Sequence, residues 1–159
     1  MRRVVFALLV AIGLASPAVA ADFQAGVEAV KRGDHATALR EFRELAALGH
    51  SGAQTNLGFM LSKGLGTPPD DAEAVKWYLL AAEQGQATAQ NNLGALYLIG
   101  SGVPKDPVLA TMWLMLAAEN NWAAAKAAME TQQQNLSPRQ LDLAKRFAAL
   151  WKEKMAANN

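Results

Sequence analysis

Two histidines, His35 and His50, are the first residues to test for chemistry in a chain of 159 residues that contains no cysteine. They lack the i, i+4 spacing of a helical metal pair, and no HExxH, SxxK or GxSxG string supplies a zinc site or an activated nucleophile. Both fall near turns and read as solvated side chains. The strings GLGTPP (64–69) and GSGVPK (100–105) have the glycine content of a phosphate cradle. Each lacks a third glycine and follows no strand, so both read as turns between helices. The RGD tripeptide at Arg32 to Asp34 reads as a turn as well. No catalytic residue, metal ligand or cofactor-binding residue is predicted. What the sequence does offer is a pair of amides, Asn56 and Asn92, at equivalent places in two similar strings. An amide carries both donors and an acceptor, so a row of them can hold the main chain of a peptide.

The strings that position these amides are AQTNLGFMLSKGLGTPPDDAEAVKWYLLAAEQG, from Ala53 to Gly85, and AQNNLGALYLIGSGVPKDPVLATMWLMLAAENN, from Ala89 to Asn121. They superpose without a gap at an offset of 36 residues. Gln54 meets Gln90, Leu57 meets Leu93, Gly58 meets Gly94, Asp70 meets Asp106 and Trp77 meets Trp113. A period of roughly 20–50 residues marks a solenoid, in which each unit buries its apolar face only against its neighbours. Within a unit, Ala53, Leu57, Met60 and Leu61 stand at helical spacing before a Gly- and Pro-containing loop, which predicts a helix A. A helix B opens after Asp70 or Asp106, with the acid at its positive end. Gly58 and Gly94 fall inside helix A, where glycine costs about 1 kcal/mol relative to alanine. The expected compensation is close packing of Trp77 and Trp113 against the helix A backbone. Leu57, Gly58, Trp77, Leu93, Gly94, Tyr97 and Trp113 are therefore assigned to structure.

The pattern AQxxLG, then GxG, an aspartate, a tryptophan and AA, resembles the Sel-one-like repeat family, a relative of the tetratricopeptide repeat with a longer turn. It covers two full repeats, with Asn121 in the place that Gly85 holds in the first. Upstream, Gly26, Gly33, Asp34, Ala38 and Phe42 resemble a tetratricopeptide hairpin with the shorter turn. Downstream, Ala125 and Met129 keep the register of Ala89 and Leu93, but Glu130 replaces the packing glycine. Ser137 and Pro138 then open a helix with Leu141, Ala144, Phe147, Ala148 and Trp151 on one face. The expectation is an all-α, short right-handed solenoid of four stacked antiparallel hairpins: a cap at 21–48, repeats at 49–85 and 86–121, and capping helices at 122–159.

Residues 1–20, MRRVVFALLVAIGLASPAVA, read as a signal peptide cleaved after Ala20, too short in its apolar run to span a membrane and without a cysteine to carry lipid. Cleavage leaves 13 basic residues against 14 acidic ones, scattered rather than striped, which argues against nucleic acid. The chain is expected in the periplasm or outside the cell.

The resemblance implies a scaffold or regulator with protein partners. Some cysteine-rich relatives are linked to β-lactam hydrolysis, so a cell-envelope enzyme or a peptidoglycan-associated factor is the competing class. The absence of cysteine and of a nucleophile speaks against the enzyme. In tetratricopeptide relatives the inner face of helix A holds an extended peptide. Carried onto this chain, that face is Thr55, Asn56, Phe59, Ser62 and Lys63 in the first repeat and Asn91, Asn92, Ala95, Leu98 and Ile99 in the second. The asparagines would bond the peptide backbone while Phe59, Leu98 and Ile99 select side chains.

Overall fold

A computed structural model describes residues 21–120 and 122–157. The expected signal peptide and Asn121 lie outside the described residues. Eight helices and no strand occur among the described residues: α1 (Phe23–Lys31), α2 (His35–Ala47), α3 (Ser51–Lys63), α4 (Asp71–Glu83), α5 (Ala87–Ile99), α6 (Pro107–Glu119), α7 (Ala123–Asn135) and α8 (Pro138–Ala157).

Aspartates start the B helices. The Asp34 carboxylate accepts from the Thr37 backbone N–H at 3.1 Å, Asp70 from Glu73 at 2.8 Å, and Asp106 from Val108 and Leu109 at 2.8 and 3.0 Å, with Pro107 at the first turn. Each cap satisfies an N–H that the helix itself leaves without a partner. Consecutive helices pair as hairpins, α1 with α2, α3 with α4 and α5 with α6, and each hairpin packs its first helix on the last helix of the one before.

The glycines inside helix A mark the tightest approach, but their partner is not the tryptophan. A methyl group on Gly58 would lie 2.8 Å from the Tyr78 ring, and one on Gly94 would lie 2.8 Å from Leu114. In the cap, Gly26 meets Phe42 at 2.7 Å. Phe42, Tyr78 and Leu114 are themselves spaced by 36 residues. The expected Trp77 and Trp113 contacts fail because one residue along a helix turns the side chain by about 100°. Trp77 is half-buried and donates its indole N–H to Glu73 at 3.3 Å, while Trp113 is buried beneath α8.

Buried amides stitch the hairpins together. Gln54 Nε2 donates to the Ala46 carbonyl at 3.2 Å, and Gln90 Nε2 to the Ala82 carbonyl at 3.3 Å, so each satisfies an end of the preceding B helix. In return, Gln54 Oε1 accepts from Gln84 and Gln90 Oε1 from Asn120. Gln90→Leu should cost about 1–2 kcal/mol, the net contribution of two lost hydrogen bonds, because the Ala82 carbonyl still accepts from the Gly85 N–H and the exposed Asn120 amide still reaches the Gly85 carbonyl. Urea denaturation measures this, and a variant as stable as the wild type would show that the stitch contributes nothing.

The C-terminal pair departs from the expected fourth hairpin. Helix α7 takes the next helix A position against α6, but α8 is not packed on α7; it lies across α6. The reason is in the composition of one row of B-helix positions. In α2 the row reads Thr37, Arg40, Glu41, Glu44, and in α4 it reads Glu73, Lys76, Trp77, Leu80. In α6 it reads Leu109, Met112, Trp113, Leu116, wholly apolar, and α8 covers it. Trp113 and Trp151 meet edge to face with centroids 4.6 Å apart. Lys152 bonds Glu119 at 3.0 Å and Lys154 reaches Glu83 at 3.8 Å, so α8 is also tied by exposed ion pairs to the ends of α6 and α4.

Candidate functional site

The first helices of the three N-terminal hairpins expose a common face. Gln24 and Lys31 on α1, Phe59 and Lys63 on α3, and Ala95 and Ile99 on α5 all reach solvent. Phe59 and Ile99 are 43% and 70% exposed, two of eight large apolar side chains left open to solvent among the described residues.

Two cavities open on this face. The first, about 190 Å³, lies between α1, α2 and α3 and is lined by Val27, Val30, Lys31, Phe42, Asn56, Phe59 and Met60. The second, about 410 Å³, lies between α3, α4 and α5, where Ser62, Lys63, Asp71, Tyr78, Asn92 and Ile99 contribute. Phe59 borders both and forms the wall between them.

Electrostatics differ along this groove. The Asp71 carboxylate is occupied: it accepts from the Ser62 hydroxyl at 2.5 Å and from the Ser101 hydroxyl in the next repeat. Burial pushes the Tyr78 phenol far above its usual range, partly offset by a hydrogen bond from the Asn92 amide. Lys31 pairs with Glu28 at 2.8 Å and holds that carboxyl below its usual range, whereas Lys63 makes no ion pair among the described residues.

Of the residues expected on this face, Asn56, Phe59, Ser62, Lys63, Asn92, Ala95 and Ile99 line the cavities. Thr55 does not belong to it: the side chain is buried and its hydroxyl donates to the Ser51 carbonyl at 2.9 Å. Leu98 packs with Ala117, Ala125 and Met129 against α7, and Asn91 lines neither cavity. Ser62 is turned toward helix B, where it holds Asp71, and not away from it. Sequence reasoning missed Val27, Val30, Lys31, Met60, Asp71 and Tyr78. Of the two histidines read as solvated, His50 is exposed but also caps α3, its Nδ1 accepting from Ala53 N–H at 3.1 Å while its ring stacks on Phe23, whereas His35 is half-buried and its Nδ1 has no hydrogen-bond partner among the described residues. Tyr97 is half-buried on another side, with Leu79, Leu109 and Phe147 around an apolar groove of about 380 Å³ under α8.

Stacked helix pairs whose first helices share an open face define a helical-repeat solenoid. Residues 51–86 and 87–122 each match the Sel1 repeat, so the chain carries two consecutive Sel1 repeats. Two crystal structures share the fold. One is a protective antigen present in uropathogenic Escherichia coli strains and displaying an SLR fold, with a TM-score of 0.78 and 33% identity over 84% of this chain and 29% of that one. The other is a Sel1 repeat protein from Oxalobacter formigenes, with a TM-score of 0.69 and 33% identity over 82% of this chain and 56% of that one. The chain thus spans less than two thirds of either neighbour's length. A comparison with curated proteins finds no significant match.

Proposed function

We propose that this protein is an exported, non-catalytic interaction module that holds an extended segment of a protein partner along α1, α3 and α5. One observation carries the reading: Phe59 stands exposed between two cavities whose rims bear the amides Asn56 and Asn92. An apolar anchor beside main-chain donors and acceptors suits a peptide whose backbone gives affinity and whose side chains give specificity. Repeat proteins of this family generally mediate protein interactions, which supports the same reading.

A photo-crosslinking residue at Phe59 should give adducts with the partner in cells, whereas one at Lys76, on an exposed part of α4, should not. The double variant Asn56→Ala, Ile99→Ser should keep its stability within about 0.5 kcal/mol, as for open surface positions, and lose those adducts at least tenfold. Adducts at Lys76 alone would move the site to helix B.

Export rests on the pattern of residues 1–20, with small Ala18 and Ala20 before the cleavage point. The description of the Escherichia coli neighbour as a protective antigen fits a protein met outside the cytoplasm. Mass spectrometry of the exported protein should find Ala21 as the first residue. A chain that keeps Met1 and sediments with membranes would overturn the export reading.

A further inference from the structure

We propose that the groove selects an acidic peptide: the cavity between α1 and α3 seats one large apolar side chain, while Lys31 and Lys63 meet neighbouring carboxylates. This rests on the peptide-binding reading of the same face and names the chemistry of its ligand.

The seat is apolar and the right size. Val27, Val30 and Phe59 make its accessible walls above the buried Phe42 and Met60, and its volume of about 190 Å³, open on one side to solvent, is on the scale of a single large side chain. A leucine or phenylalanine side chain fills it; a glycine or serine leaves it open to water. Asn56 stands on the rim, where its amide reaches the main chain beside the seated residue.

The charges on this groove have one sign available. The ionisable side chains lining the two cavities are Lys31, Lys63, Asp71 and Tyr78. Asp71 already accepts two hydroxyl hydrogen bonds, and burial keeps the Tyr78 phenol protonated. Lys63 has no ion-pair partner among the described residues, and the Lys31–Glu28 pair is an exposed i, i+3 contact of the kind that contributes little and exchanges readily. A peptide carboxylate gains a partner at Lys63 without breaking any ion pair seen among the described residues. A peptide lysine meets like charge there and finds Asp71 engaged.

The test uses three labelled octapeptide pools with a fixed central leucine, enriched in Asp, Asn or Lys at the other positions, and fluorescence anisotropy with the purified protein. The Asp pool should bind about tenfold tighter than the Asn pool at low salt, as expected for charge-assisted contacts, and the preference should shrink at high salt. Lys63→Glu, at an exposed position, should remove the preference for Asp and favour the Lys pool. Equal binding of all pools, lost in Asn56→Ala with Ile99→Ser, would overturn the acidic specificity and leave the groove reading intact. An Asp preference untouched by Lys63→Glu would overturn the role of that lysine and with it the proposal. Binding of no pool would overturn both readings.

Discussion

Gly102→Ala is expected to destabilise the protein by about 3–5 kcal/mol and to lower its melting temperature by roughly 10 °C or more. A Cβ at this position would lie 2.4 Å from the backbone carbon and oxygen of Asp71, inside any allowed contact, and the residue has φ of 70°. Neither neighbour can retreat, since Asp71 begins α4 directly after its cap and its carboxylate is tied to Ser62 and to Ser101, the residue before Gly102. The control is Gly85→Ala: φ is 81° but nothing lies within 4 Å. That variant should lose only the backbone penalty, about 1 kcal/mol. Urea denaturation of the pair separates close approach from backbone strain. Equal losses would mean that the loop of the second repeat does not rest on the first turn of α4. The same contact recurs one repeat earlier, where Gly66 lies against His35.

Trp113→Ala should cost about 3–5 kcal/mol, whereas Trp77→Ala, at the equivalent position one repeat earlier, should cost about 1–2 kcal/mol. Trp113 is 3% exposed and buttressed by Trp151, while Trp77 keeps part of its ring in solvent and its indole N–H on Glu73. If the difference arises from α8, then Trp151→Ala added to Trp113→Ala should cost far less than Trp151→Ala alone, because the two rings share one contact. Thermal melts of the four proteins measure the coupling. Additive losses would show that α8 gains nothing from Trp113.

Helix boundaries in the repeats were legible because their signals are local: an aspartate before α2, α4 and α6, a glycine after α3 and α5, and an offset of 36 residues that repeated both. The packing partner of the buried glycines was hidden by a different cause. Tryptophan recurs in type at 77 and 113, while the true contact row, Phe42, Tyr78 and Leu114, recurs only in bulk. Matching identities finds the first row and passes over the second. The groove was half legible for a related reason. Asn56, Phe59, Lys63, Asn92 and Ile99 follow from turning helix A away from its own helix B. Thr55 and Leu98 do not, because in a stack each helix A also leans on the hairpin that follows. The path of α8 could have been read from the sequence, since the row Leu109, Met112, Trp113, Leu116 is apolar where the two earlier rows are charged or mixed.

That apolar row also sets a timetable. Synthesis delivers the cap hairpin and the first repeat before α6, and α6 before α8, with the whole of α7 between them. Until α8 arrives, the most greasy flank of the stack faces water or whatever lies beside the nascent chain. The same row is polar in α2 and half polar in α4, where Glu73 and Lys76 accompany Trp77 and Leu80, so the earlier hairpins present less apolar surface there. The interval between the emergence of Leu116 and that of Trp151 is therefore the window in which this chain is most prone to stick to its neighbours, and the one in which a holdase would have something to grip.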